Sequence, residues 1–204
     1  MGFYEYQILP RAIDWGMSGE RFSKLRRQFL KDVSGRVLEV GFGSGLNLPH
    51  YSETVTHLYA LDPSQLGRRL AGKRIQRAPF PVEFVELKKN RFNLADHSVD
   101  AVVSTWTLCT ISDPAFALNE IRRVLKPGGC YFFLEHGLSP ERGVARLQNL
   151  WNPIQKCLAG GCHVNRKIDR LILEGGFNVL EMKQFYMEGP KIFTYLYAGC
   201  ATAE

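Results

Sequence analysis

The sequence has no apolar run approaching the roughly 20 uninterrupted residues of a membrane-spanning helix. Its first residues, MGFYEYQILPRAIDWG, carry an early acidic residue and no compact apolar stretch before a small-residue cleavage site, so they do not read as a secretory signal. There are no repeats, no low-complexity segment and no linker. The five cysteines, Cys109, Cys130, Cys157, Cys162 and Cys200, are odd in number and lack framework spacing. A cytoplasmic chain with reduced thiols is the simplest expectation. Cys157, Cys162 and His163 form C-x4-C-H without a second ligand pair. The Gly160-Gly161 turn explains that stretch better than zinc does, and no metal is expected.

What is present fits one domain. The 204 residues, 45% of them hydrophobic, suffice for a substantial core. The formal charge is +6. Its basic residues gather at Arg21, Lys24, Arg26, Arg27 and Lys31, and again at Arg68, Arg69, Lys73, Arg74 and Arg77. Such a balance suits nucleic acid or an anionic membrane surface. No aromatic-interleaved patch accompanies it, so two solvated helix faces are the preferred reading and no nucleic-acid partner is expected.

Strand and helix signals alternate along the chain. An amphipathic helix over 19–33 places Phe22, Leu25, Phe29 and Val33 at helical spacing. Strands are expected at Arg36–Val40, Thr56–Leu61, Val82–Glu86, Asp100–Ser104 and Cys130–Glu135. Helices are expected over 64–76, 114–125, 140–158 and 167–174, with a short turn at Leu46–Tyr51 and another at Pro127-Gly128-Gly129. Two late strands, Phe177–Met187 and Lys191–Ala198, flank Gly189-Pro190 with no helix between them. Alternation of this kind means a parallel sheet covered on both faces, and a tight connection means antiparallel pairing at the end. The expected fold is α/β, a doubly wound, Rossmann-like sheet of seven strands, mostly parallel with an antiparallel last strand. It fills a single domain over 1–204, with 1–33 as an N-terminal helical lid. Phe3, Tyr4, Tyr6, Trp15 and Met17 either pack that segment on the sheet or close it over a ligand.

The first strand leads into VLEVGFGSGLNLPHY. A dinucleotide fingerprint, G-x-G-x-x-G, started at Gly41 needs glycine where Leu46 stands. Instead Glu39 precedes glycines at every second position, Gly41, Gly43 and Gly45. Dinucleotide turns bring a helix N-terminus to a pyrophosphate. A ligand with a zwitterionic amino-acid tail needs bare backbone, and Glu39 can counter its ammonium. Asp62, ending the second strand, can accept both hydroxyl hydrogens of a ribose.

These features, with DAVVSTWTLCTI and RVLKPGGCYFFLEHG, resemble a class I S-adenosylmethionine-dependent methyltransferase over nearly the whole chain. The finer resemblance, carried by YQILP, GSGLNLPHY, STWTLC, LEHG and GGCHVNR, is to the methyltransferase type-11-like enzymes near the thiol methyltransferase branch. The resemblance implies S-adenosyl-L-methionine as cofactor. It implies that Gly41, Gly43 and Gly45 line the methionine end, that Phe42 contributes backbone and that Asn47 contacts the tail. Asp62 would hold the ribose, Pro63 and Ser64 would flank the adenine, and Thr105 and Trp106 would border the sulfonium. Lys88 stands where relatives carry an acidic residue for the adenine amine. Backbone groups there or Asn90 would then recognise adenine, or affinity is weakened.

His136 follows the fifth strand at the sheet edge where open α/β sheets bind ligands, and it is the candidate catalytic base. The alternative for it is a hydrogen-bonded loop histidine, and His163 is a second imidazole for the substrate pocket. Cys109 reads as a small buried hydrophobe. The aromatic segment FYMEGPKIFTYLYAGC can wall an apolar pocket. The expected reaction is methyl transfer to a small lipophilic acceptor, with a thiol suggested by the resemblance. A lipid or quinone-like acceptor with peripheral membrane contact, and a noncatalytic cofactor-binding module, are the alternatives.

Overall fold

The computed structural model describes residues 3–88 and 91–203. Asn90, a candidate for adenine recognition, lies outside them. The chain starts with a helical turn, Tyr4–Ile8, then α1 (Leu9–Met17) and α2 (Glu20–Leu30). It continues through β1 (Gly35–Val40), a 3-10 turn at Leu48–His50, β2 (Val55–Leu61), α3 (Gln65–Gln76) and β3 (Val82–Val85). A small hairpin of β4 (Leu87–Lys88) and β5 (Arg91–Phe92) precedes β6 (Val99–Thr105), α4 (Pro114–Val124) and β7 (Leu125–His136). The last elements are α5 (Arg142–Leu158), α6 (Ile168–Glu174), β8 (Phe177–Tyr186), α7 (Lys191–Thr194) and β9 (Tyr195–Ala203). Local chemistry sets the helix starts. Ser64 accepts a bond from the Gly67 amide at 3.0 Å to cap α3, and Asp113 accepts from Phe116 at 2.9 Å just before Pro114 opens α4.

Seven strands form the sheet, in the order β3-β2-β1-β6-β7-β9-β8. The first five of these are parallel, and β9 runs antiparallel to both β7 and β8. The chain builds outward from β1 to β3, then returns to lay β6 on the other side of β1. That reversal makes a crevice at the carboxyl ends of β1 and β6, where open α/β sheets take ligands. Apolar cores cover both faces. Leu38, Val40 and Val102 belong to one, while Val37, Ala101 and Val103 belong to the other. The period of two along a strand therefore points Glu39 to the face of Val37, and Thr105 to the face of Val103.

Three expectations need correction. The Pro127-Gly128-Gly129 turn is an irregularity inside one long strand: Leu125 pairs with Val99 and Cys130 with Ala101, so the extra residues bulge out of register. The final strand starts later than expected, because Lys191–Thr194 forms a helical turn beginning after Pro190. The N-terminal aromatics do not pack on the sheet. Trp15 is 83% exposed and Phe3 75%, and α1 is tied instead to α3 by an Asp14–Arg74 ion pair of 2.8 Å.

Candidate active site

The crevice is built around the glycine turn that leaves β1. Gly41 has φ +78°, and a Cβ there would lie 2.0 Å from Thr107 Oγ1. Gly43 has φ +55°, and a Cβ there meets nothing nearer than the Gly41 carbonyl at 4.0 Å. The first glycine lets the loop after β6 approach. The second leaves a free cradle of the kind an amino-acid tail requires. Gly67 in α3 is equally needed, since a Cβ on it would come within 2.7 Å of the Gly43 carbonyl oxygen. Phe42 turns its ring into the core against Phe84, so only its backbone faces the turn. Gly45 packs on Phe42 and Leu48.

Asp62, at the end of β2, accepts from the Gly43 amide and the Ser64 amide, both at 2.7 Å. It fixes the turn, and burial pushes its carboxyl upward. Each carboxylate oxygen accepts more than one bond, so capacity for a diol remains. Pro63 is exposed beside it, and the Ser64 hydroxyl is engaged in capping α3. Lys88 is exposed on the β4–β5 hairpin, 3.8 Å from Glu86.

Glu39 is buried, 1% exposed. It accepts from Asn47 Nδ2 at 2.9 Å and from the Tyr51 hydroxyl at 2.8 Å. Burial nevertheless holds its carboxyl up at about 8. Asn47 also donates to Thr105 Oγ1 at 3.0 Å and accepts from Arg26 Nε at 3.1 Å. One buried network thus joins the ends of β1 and β6 to α2. Arg26 is 3% exposed, where a solvated face was expected. Its guanidinium donates to the Met17 carbonyl at 2.8 Å and lies 5.0 Å from the Trp106 ring, and burial lowers its pKa to about 10. The sequence held a signal for this: Arg26 is four residues after Phe22 and three before Phe29, inside the apolar stripe of α2.

Trp106 directly follows β6. Its φ is +51°, a conformation bulky residues rarely adopt, and its buried indole Nε1 has no partner among the described residues. A strained aromatic with an orphaned donor, placed just past β6, fits a ligand acceptor at this point. His136, the last residue of β7, packs its ring 6.3 Å from the Trp106 ring.

Beyond Trp106, the loop 107–110 is held by Glu135. This fully buried carboxylate accepts from Ser104 Oγ at 2.8 Å and from the backbone of Thr107, Leu108 and Cys109. Cys109 is buried, as the sequence suggested, but more than packing is involved. Its Sγ lies 3.6 Å from Cys162 Sγ, which in turn lies 3.6 Å from His136 Nδ1. Cys109 and His136 bond Cys162 and draw its thiol well below the ordinary value, while the bond to Cys162, together with burial, drives Cys109 up. Cys157, the other cysteine of the C-x4-C-H stretch, is exposed. His163 lies next to the cluster: its amide donates to the Cys109 carbonyl at 2.8 Å, its ring is 3.3 Å from Asn152 Nδ2, and burial lowers its pKa. The meeting of Cys109, His136 and Cys162 was missed in the sequence, where nothing local links them.

Comparison with known proteins gives a consistent picture. Residues 38–133 match the family described as Methyltransferase domain. A thiol S-methyltransferase TMT1B of Rattus norvegicus is 34% identical over 175 residues, covering 79% of this chain and 70% of that protein. A phosphatidylethanolamine N-methyltransferase of Cereibacter sphaeroides is 27% identical, covering 79% of this chain and 78% of that one. Among solved structures, an S-adenosylmethionine-dependent methyltransferase of Thermotoga maritima superposes with a TM-score of 0.67 at 20% identity, covering 98% of this chain and all of that one.

Proposed function

The chain belongs to the class I S-adenosylmethionine-dependent methyltransferases, and from that membership we propose that its acceptor is the sulfur of a small lipophilic thiol. The observation that carries this reading is that Trp106 neighbours two groups of residues. In the first, Arg26, 5.0 Å from the indole, belongs to the network of Glu39 and Asn47 that flanks the glycine turn. In the second, the His136 imidazole, 6.3 Å from the indole, leads to Cys162 and Cys109. The cofactor, when bound, supplies a methyl group on a sulfonium centre. The free cradle at Gly43, the Asp62 carboxylate and the unpartnered Trp106 donor all suit it.

In this reading Gly41, Gly43 and Gly45 present backbone to the amino-acid tail, Asn47 and Glu39 set the polarity behind it, and Asp62 takes the ribose. Thr105 and Trp106 enclose the reacting end. Displacement at a methyl group needs the nucleophile and the leaving sulfur on one line, so much of the rate comes from positioning in a dry pocket. A thiol acts as its thiolate, and free thiols titrate near about 8.5, so the enzyme gains by promoting ionisation at neutral pH. His136 serves that purpose. The thiol S-methyltransferase among the relatives supports the choice of acceptor.

A lipid acceptor is the second reading. It is favoured by the exposed apolar side chains of α5, Leu150, Trp151 and Leu158, by those of Phe3 and Trp15 in the N-terminal segment, and by the phospholipid methyltransferase among the relatives. No helix among the described residues is long and apolar enough to cross a membrane. The deciding experiment is labelled-methyl transfer across alkyl and aryl thiols, amines, quinols and phospholipid vesicles. The proposal expects turnover with thiols first. Turnover confined to amines, quinols or vesicles refutes it.

A further inference from the structure

Cys109, His136 and Cys162 each offer one ligand atom, and the three atoms lie within 4.8 Å of one another. We propose that they bind a thiophilic divalent ion of the zinc class, with a fourth coordination position left for the acceptor sulfur. Tetrahedral zinc with bonds of about 2.3 Å to sulfur and about 2.0–2.1 Å to nitrogen holds two sulfurs about 3.8 Å apart and sulfur from nitrogen about 3.5 Å. The distances here are 3.6 Å between the two sulfurs and 3.6 Å between Cys162 Sγ and His136 Nδ1. Both separations suit an ion, and the third, Cys109 Sγ to the His136 ring nitrogen, falls within 4.8 Å and closes as the ion is bound.

The surroundings support the same assignment. The ligands come from three places: the loop after β6, the end of β7, and the turn after α5. Each is pinned by something other than the ligand atoms. Glu135 Oε2 accepts from the Cys109 amide at 3.1 Å, and the Cys109 carbonyl accepts from the His163 amide at 2.8 Å. His136 is the last residue in register with β9, paired with Leu196. Partners of this kind hold metal ligands in place. Thr110 Oγ1, 3.7 Å from Cys109 Sγ, can donate to a thiolate, and the Arg166 guanidinium adds a positive charge felt by both sulfurs. Two thiolates, a neutral imidazole and a divalent ion sum to zero charge, which is the affordable state for a buried site. Three protein ligands with one position open are the pattern of reactive rather than structural zinc sites.

The role at the open position rests on the thiol-acceptor reading. There, the acceptor thiol gives up its proton to solvent on binding the ion. Its sulfur keeps the electron pair and forms a bond to the methyl carbon. The bond from that carbon to the sulfonium sulfur breaks with its pair left on the departing thioether. His136 in this arrangement promotes ionisation as a ligand.

The test needs no acceptor, so its outcome is separate from that of the thiol assay. The full chain, reduced and stripped with a chelator, is titrated with Co2+ and then Zn2+. One equivalent of Co2+ should give thiolate-to-cobalt absorption, which Zn2+ then removes. Removing even an outer partner of a metal ligand costs roughly 10–100-fold in affinity, so Cys162→Ser and His136→Ala should each weaken Co2+ binding at least about tenfold. Cys157→Ser, at an exposed cysteine outside the cluster, should leave it unchanged. Because Cys109 is fully buried, the other two ligands carry the test, with folding checked by circular dichroism. The proposal is overturned if the folded, reduced parent shows no such absorption, or if the ligand variants bind as the parent does. It is equally overturned if the two buried cysteines are found as a disulfide and the reduced protein takes up no metal.

Discussion

Substituting alanine at Gly43 and, separately, at Gly41 distinguishes the part of the glycine turn that holds ligand from the part that holds the fold. At Gly43 the backbone has φ +55° and a Cβ would contact nothing within 4.0 Å except the Gly41 carbonyl at that limit. The cost to the fold is then the left-handed conformation alone, about 1–2 kcal/mol. For a chain of this size that lowers Tm by about 2–8 °C. The methyl group, however, fills the cradle. Affinity for S-adenosylmethionine should fall at least about tenfold, equivalent to roughly 1.4 kcal/mol. At Gly41 the added Cβ would lie 2.0, 2.4 and 2.7 Å from the Oγ1, Cγ2 and Cβ of Thr107. Thr107 cannot simply swing away, because its Cβ is included and its backbone is held by Glu135. Gly41→Ala should therefore lose more in Tm than Gly43→Ala, by displacing the loop that follows β6. Thermal melts and calorimetric titration read the two quantities separately. A folded Gly43→Ala protein with the parent's affinity would refute the assigned cradle. A Gly41→Ala protein as stable as Gly43→Ala would refute the packing argument.

Asp62→Ala should lower cofactor affinity by roughly tenfold or more, since charge-assisted hydrogen bonds are each worth about 1.5–3 kcal/mol, and titration with unchanged affinity would exclude the ribose role. Burial pushes the Glu39 carboxyl up to about 8 in the fold, against 4.5 for a solvated glutamate. Between these values the unfolded chain binds fewer protons than the native one, so this residue's contribution to stability falls as pH rises through that window. Denaturant midpoints of Glu39→Gln should gain on the parent from pH 5 to pH 9, and a constant difference would mean that Glu39 is ionised throughout. His136→Ala should depress thiol methylation most at neutral pH and less at alkaline pH, where the acceptor ionises unaided, with cofactor affinity little changed. Parallel pH–rate profiles for His136→Ala and His163→Ala test this, and profiles of both variants that keep the parent's shape would show that neither histidine promotes ionisation.

Local signals in the sequence account for most of the elements and for the meeting of the glycine turn with Asp62. Alternating apolar strands and capped helices are local signals, and glycines at 41, 43 and 45 after one strand, with Asp62 ending the next, become neighbours as soon as those strands pair in parallel. The β9 position between β7 and β8 was only half legible: a short connection required antiparallel pairing with β8, but the second partner depends on which strand edge is left open. The charge of Arg26 points to a solvated face while its place in the stripe of α2 points inward, and only packing against Asn47 and Trp106 takes it out of water. The sulfur–imidazole cluster belongs to tertiary structure entirely. Cys109 and Cys162 are 53 residues apart, and no periodicity relates either to His136. They meet because β6 and β7 end side by side and the turn after α5 hydrogen-bonds onto the loop that Glu135 fixes. Local patterns encode which way a side chain leaves its own strand or helix, whereas convergence of three loops at one sheet edge is decided by how the strands are ordered.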